Sequence, residues 1–195
     1  MELERTLIII KPDAVQRGIV GDIISRFEKV GLKFIGMKMI VPEDDRLTKH
    51  YPTDRHEFIE GMGRKTLDNY KDLRIDPKET FGHDDPYKIG LQVRERLVEF
   101  MKSGPVIAAV LEGPHAVEIV RKIRGFTLPS AAQPGTITGD YSFDSSALAN
   151  AGKRTIKNLV HASGNKEEAE HEIPIWFEAD ELHDYHNIHQ SHMTV

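Results

Sequence analysis

Between residues 6 and 10 the chain reads TLIII, an unbroken apolar, β-rich run that stops at Lys11-Pro12-Asp13. Such a run, closed by a turn signal, predicts a buried strand leading into a loop. Over 20–30 (VGDIISRFEKV) the period changes. Ile23, Ile24, Phe27 and Val30 fall on one helical face, and Gly31 follows as a C-cap. A second strand is predicted over 33–41 (KFIGMKMIV). From Thr53-Asp54 the chain spaces Phe58, Met62 and Tyr70 at roughly helical intervals. Asp85-Pro86 then opens another helix with Ile89, Val93, Leu97 and Phe100 as its stripe. The link RIDPKETFGHDD is polar and turn-rich, so 52–101 predicts a helical excursion hung on a smaller fold.

Residues 105–111 predict a third strand, and 115–124 a helix that buries Val117, Val120 and Ile123 and ends at Gly125. A turn-rich stretch follows over 126–153. The run IKNLV (156–160) then predicts a strand that meets His161 directly, with a short helix over 165–171 and a strand-like run IPIWF after it. The order β-α-β, helical detour, β-α-β predicts an α+β fold, a ferredoxin-like βαββαβ sandwich with an antiparallel sheet, helices on one face and a helical insertion. Neither an internal repeat nor a low-complexity segment interrupts it.

Composition narrows the classes. A chain of 195 residues with 39% hydrophobic and 29% charged positions suits one soluble globular domain, at most two small ones. The net charge of −5 argues against a dedicated nucleic-acid binder, while leaving room for a local basic pocket. There is no cysteine, hence no disulfide or thiolate metal site. The run Leu7–Ile10 is too short for a secretory signal, and no stretch approaches the roughly 20 apolar residues of a membrane span. A soluble, cytoplasmic protein with no membrane partner is expected.

Three strings carry chemistry. NLVHASG sets His161 after an apolar run, with Ala162, Ser163 and Gly164 leaving space for a bulky anion. A neutral imidazole is a nucleophile near pH 7 and can form a covalent intermediate, although one such histidine taken alone is more often structural. Lys11-Pro12-Asp13 holds a cation in a rigid loop, and PGTITGD (134–140) brings two glycines and two hydroxyls within reach of an anion. Each, alone, is matched by an ordinary turn.

Taken in order, KPDAVQRGIVGDIISRFEKVG, HY, SGPVIAAVLEG, PGTITGD, NLVHASG and EIPIWF resemble the nucleoside diphosphate kinase family over most of 3–51 and 99–182. The resemblance implies a ping-pong transfer of the γ-phosphate between nucleoside triphosphates and diphosphates through phospho-His161. It implies that Glu172, eleven residues on, orients the ring and that Ser163 supports Glu172. Lys11 and Tyr51 match the contacts to the transferred phosphoryl, Arg121 and Thr127 those to the outer phosphates, and Asn158 that to the sugar. Mg²⁺ bridging the phosphates and a homo-oligomer, hexamer or tetramer, are implied as well.

The chain departs from the family in three places. Thr138 stands where PGTIRGD has an arginine, so it offers a hydroxyl to the nucleotide and no charge; Lys153, Arg154 and Arg124 are the candidate replacements. Residues 52–92 form the insertion, leaving Phe58, Tyr87 and Val93 as alternatives for stacking on the base. The approach to the nucleophile, SFDSSALANAGKR, is long. The kinase-like domain is expected over 1–182, followed by a polar tail, 183–195. There His183, His186, His189 and His192 would share a Zn²⁺- or Ni²⁺-binding face if the tail were helical, or else belong to a frayed end. A rival reading keeps the fold as a catalytically weakened regulatory or interaction protein. A nucleic-acid module is disfavoured by the charge.

Overall fold

The computed structural model describes residues 3–193. Its centre is a four-stranded antiparallel sheet in the order β2-β3-β1-β4, made of β1 (Glu4–Ile10), β2 (Lys33–Ile40), β3 (Val106–Gly113) and β4 (Val160–Ala162). Between β1 and β2 lie α1 (Pro12–Gln16) and α2 (Val20–Glu28). Between β2 and β3 come α3 (Asp44–His50), α4 (His56–Leu73), α5 (Pro77–Phe81) and α6 (Pro86–Lys102). Before β4 lie α7 (Ala116–Arg124), α8 (Ile137–Tyr141) and α9 (Ser146–Ala151). After it come α10 (Lys166–Trp176) and α11 (Ile188–Met193).

The predicted α+β sandwich is present, but helices cover both faces of the sheet. Ile8 and Ile10 pack with Ala14, Ile23, Phe27 and Val120, whereas Leu7 and Ile9 pack with Leu47, Met101 and Trp176. The sequence carries the reason. An unbroken LIII leaves no polar face to solvate, and all four side chains are fully buried.

Local corrections have physical causes too. Helix α2 ends at Glu28, so Val30 leaves the apolar face and lies half exposed. In α4 the core position is Ile59, while Phe58 points largely outward. The stretch 126–153 contains α8 and α9, short helices whose few residues give no clear period. IKNLV is mostly loop: the strand begins only at Val160, and His161 lies inside it. IPIWF is the end of α10, not a strand. Pro174 removes one helical hydrogen bond there, yet Ala169, Glu172 and Trp176 stay on one buried face and carry the helix through.

The predicted excursion is a helical hairpin. Asp85 caps α6 by accepting from the Lys88 N–H at 2.9 Å. The α4 and α6 backbones touch through two glycines: a Cβ on Gly63 would lie 1.7 Å from the Pro86 carbonyl oxygen, and one on Gly90 2.0 Å from that of Ile59. Tyr70, Phe81 and Ile89 form the hairpin's own small core, with Val93 against it.

The tail does not gather its histidines. His183 N–H bonds the Ile35 carbonyl at 2.7 Å and the Tyr185 hydroxyl bonds that of Phe34, so this part runs extended along β2; only 188–193 is helical. Spacing by three has no meaning across that break, and among the described residues the four histidines form no metal-ligand cluster.

Candidate active site

Antiparallel pairing of β1 with β4 sets Ile9 opposite His161. Directly paired residues share a face, and so do positions two apart on a strand. His161 therefore projects with Ile9 and Leu7 toward α3 and α10, and Lys11, one step beyond β1, belongs to the same side. Helix α10 brings its buried face to the ring. Glu172 Oε2 lies 3.0 Å from His161 Nε2, and the Ser163 hydroxyl donates to the same oxygen at 2.6 Å. Burial alone would raise the Glu172 pKa. The neighbouring His161, His50 and Ser163 outweigh it and hold the carboxyl at about 2. An ionised acceptor at Nε2 requires the ring proton there, which leaves Nδ1 with a free lone pair.

His50, at the end of α3, closes the site from behind. Its ring meets His161 edge-on at 4.7 Å and Tyr51 at 4.5 Å, and its Nδ1 accepts the Trp176 indole N–H at 3.3 Å. Burial, with the neighbouring His161 and Lys11 adding to it, pulls its pKa down to about 3, so this imidazole is neutral. Burial pushes the Tyr51 phenol up, which keeps it a hydroxyl. The sequence singles out Tyr51 of the HY pair and misses His50. The partner that fixes His50, Trp176, is 126 residues away in the chain, so no local signal reveals it.

A second group forms around Lys11. Leu159 has φ +69°, and Val160 N–H bonds the Asn158 carbonyl at 2.7 Å across it, a tight turn at the mouth of β4. The turn presents Asn158, whose Oδ1 accepts from Lys11 Nζ at 2.6 Å while its Nδ2 donates to the Thr127 carbonyl at 2.9 Å. Arg124, on the last turn of α7, donates to the Thr127 hydroxyl at 2.5 Å. Burial draws Lys11 down to about 8, with Arg124 pressing the same way and Asp13 opposing. Burial, helped by Arg121, draws Arg124 down to about 10. Lys11, Thr127 and Asn158 line a cavity of about 210 Å³ whose other walls include Tyr70, Phe81, Val93 and Arg154.

Two of the expected contacts stand elsewhere. Arg121 is exposed, one helical turn before Arg124, on a shallow depression with Glu4, His115 and Asn165. Thr138 is fully enclosed in α8, its hydroxyl without a hydrogen-bond partner, so it presents nothing to solvent; it follows Ile137 into the core. Of the stacking alternatives, Val93 lines the cavity, Phe58 points largely outward and Tyr87 stacks on His56.

A family model described as nucleoside diphosphate kinase matches residues 4–62 and 71–182. The chain belongs to the nucleoside diphosphate kinase family. It is 49% identical over 182 residues to a nucleoside diphosphate kinase of Pyrobaculum aerophilum, covering 93% of this chain and 99% of that relative. Among solved structures it is similar to an NDP kinase from Pyrobaculum aerophilum, with a TM-score of 0.89 and 47% identity over 94% of this chain and all of the other. It is similar also to a transition-state mimic of the Borrelia burgdorferi kinase with bound vanadate and ADP, with a TM-score of 0.76 and 36% identity over 97% of this chain and 96% of that one. Family membership makes this chain a phosphotransferase and bears out the expected fold and function. No helix among the described residues is long and apolar enough to cross a membrane.

Proposed function

We propose that this nucleoside diphosphate kinase works by ping-pong transfer through Nδ1 of His161. The observation that carries this is the 3.0 Å contact between His161 Nε2 and buried, ionised Glu172, which commits the ring's one proton and frees the other nitrogen. In the first half-reaction the Nδ1 lone pair attacks the γ-phosphorus of a nucleoside triphosphate. The bond from γ-phosphorus to bridging oxygen breaks, its electron pair leaves on the β-phosphate, and the diphosphate departs. A second diphosphate then takes the phosphoryl from Nδ1 by the reverse path. Glu172 balances the positive charge that builds on the ring, and Ser163 holds Glu172 in place.

Within the same proposal Lys11 and Tyr51 attend the transferred phosphoryl, Thr127 the outer phosphates, and Asn158 the sugar. Arg121 joins Thr127, and Thr138 contacts the nucleotide, only if the Arg121 side chain and α8 turn toward the cavity on binding. Phosphoryl transfer is mostly positioning and charge neutralisation, so a lysine kept next to the nucleophile's strand suits it. Kinases of this family require a divalent metal, and we assign Mg²⁺. Among the described residues the one cluster of three metal-donor side chains is His50, His161 and Glu172. Two imidazoles with one carboxylate do not suit an ion that prefers six oxygens. Mg²⁺ thus enters as part of the nucleotide substrate, on phosphate and water.

A cytoplasmic homo-oligomer, hexamer or tetramer, completes the reading. The support for association is β2, an edge strand on which Met37 and Met39 share one face, with Val41 just past its end, each more than half exposed. We also read 52–92 as an insertion relative to the compact members of the family, within a single domain that ends near 182. Incubation with γ-labelled ATP tests the nucleophile. Acid-labile, alkali-stable label is expected on the wild type and not on His161→Ala; label persisting on that variant overturns the assignment.

A further inference from the structure

Two cations are buried close to each other, and among the described residues neither is in direct contact with a carboxylate. Lys11 is 7% exposed and Arg124 is 9% exposed. Among the described residues no carboxylate forms an ion pair with either; Asp13 acts on Lys11 only from a longer range, and the charged neighbours of Arg124 are themselves cations, Arg121 and Lys11. Thr127 and Asn158 hold both in place: Arg124 bonds the Thr127 hydroxyl, Asn158 bonds the Thr127 carbonyl, and Lys11 bonds Asn158. Buried charge is ordinarily paired, and like charges held together in low dielectric repel. A fold that keeps such a pair leaves room for a ligand of opposite charge.

The competing sources of positive charge are committed or remote. Arg154 gives both terminal guanidinium nitrogens to Asp144, at 2.5 and 2.9 Å, so its charge is already matched. Lys153 is exposed on a loop. Thr138, where the sequence lacks an expected arginine, is sealed in the core.

We propose that Arg124 is a catalytic residue of this kinase, contacting the oxygens of the phosphoryl group in flight together with Lys11 and supplying the guanidinium that is absent at Thr138. The proposal rests on His161 as the nucleophile. Arg124 takes no part in the bond exchange itself. It neutralises charge on the phosphate oxygens while the bond to Nδ1 forms and the bond to the leaving diphosphate breaks. Of the five N–H donors of a guanidinium, Thr127 engages one, leaving the rest for phosphate.

The test is rapid-quench labelling by γ-labelled ATP of wild type, R124A, R124K, R154A and K153A, with calorimetric affinities for ADP alone and for ADP with vanadate. R124A should label about 100-fold more slowly than wild type, the range found for loss of one preorganised donor. It should lose far more affinity for ADP with vanadate than for ADP alone, and added methylguanidinium should recover part of its rate. R124K should stay slow, because an ammonium cannot span two oxygens. Labelling of both R124A and R124K within about threefold of wild type overturns the proposal, on the same scale of one lost donor. So does an equal loss of affinity for ADP and for ADP with vanadate, or a slowing in R154A or K153A that exceeds the slowing in R124A. If R124A melts below the assay temperature, R124K decides by the same criteria. A wild type that never labels, or an H161A variant that does, refutes the nucleophile instead, and the two failures are told apart.

Discussion

Replacing Glu172 with glutamine keeps the shape of the site and removes one negative charge. The amide oxygen still accepts from His161 Nε2 and from Ser163, the contacts now at 3.0 and 2.6 Å. What disappears is the charge assistance. A hydrogen bond to a charged group contributes about 1.5–3 kcal/mol against about 1 for a neutral one, and the gap widens as positive charge grows on the ring during phosphorylation. A loss of about 2–3 kcal/mol in the transition state corresponds to roughly 30- to 160-fold slower phosphoenzyme formation. Single-turnover labelling measures it. ADP affinity should hold within about twofold, because Glu172 faces the ring and does not line the Lys11 cavity. The same substitution has a stability signature. The carboxyl titrates at about 2 in the fold against 4.5 for the free group, so its contribution is complete above pH 4.5 and is lost as pH falls toward 2. That amounts to about 3 kcal/mol at most, and E172Q should flatten this acid limb in urea titrations. Labelling within about twofold of wild type would refute the view that the carboxylate's charge, beyond its geometry, activates His161.

His50 titrates at about 3 when folded against 6.5 when free, so the unfolded chain binds its proton first and stability falls as pH drops from 6.5 toward 3; His50→Gln should give a shallower fall between pH 6.5 and 4 in denaturant melts. Lys11 loses its proton near pH 8, so ADP affinity should decline from pH 8 to 10, with proton uptake on binding visible as a buffer-dependent calorimetric heat. Gly90→Ala puts a methyl 2.0 Å from the Ile59 carbonyl oxygen and must push α4 from α6; it should destabilise by about 1–3 kcal/mol, more than the gain of about 1 in helix propensity, as read by the urea midpoint.

Much of the fold is legible because its decisive signals are local. TLIII announces a buried strand, Asp85-Pro86 a capped helix, and the alternation of strand and helix periods the sandwich. The misses occur where tertiary packing overrides a local rule. IPIWF reads as strand-like, but Ala169, Glu172 and Trp176 gain enough burial on one face for α10 to run through Pro174. The histidine's strand is shorter than its apolar run because Leu159 takes a left-handed turn to aim Asn158, a conformation that no residue type at that position declares. The nucleophile and its carboxylate lie eleven residues apart and were reachable from the family resemblance. The His50–Trp176 brace, 126 residues apart, exists only once α3 and α10 are packed together.

The charge logic of the site runs against the composition. The chain carries a net −5, yet the described residues place two cations, Lys11 and Arg124, in its interior with no carboxylate in direct contact and leave most of the carboxylates outside. If stability alone had shaped this region, either cation would be paired or replaced by an apolar side chain, since an uncompensated buried charge costs several kcal/mol. Asp144 shows that pairing is within the fold's means: it neutralises Arg154 with two hydrogen bonds beside the same cavity. The difference between these two arginines, one matched and one left open, marks where an anion belongs. On that proposal the departure at Thr138 is a relocation of charge from α8 to the last turn of α7, the helix α8 packs against, with Arg124 carrying what the family places on α8.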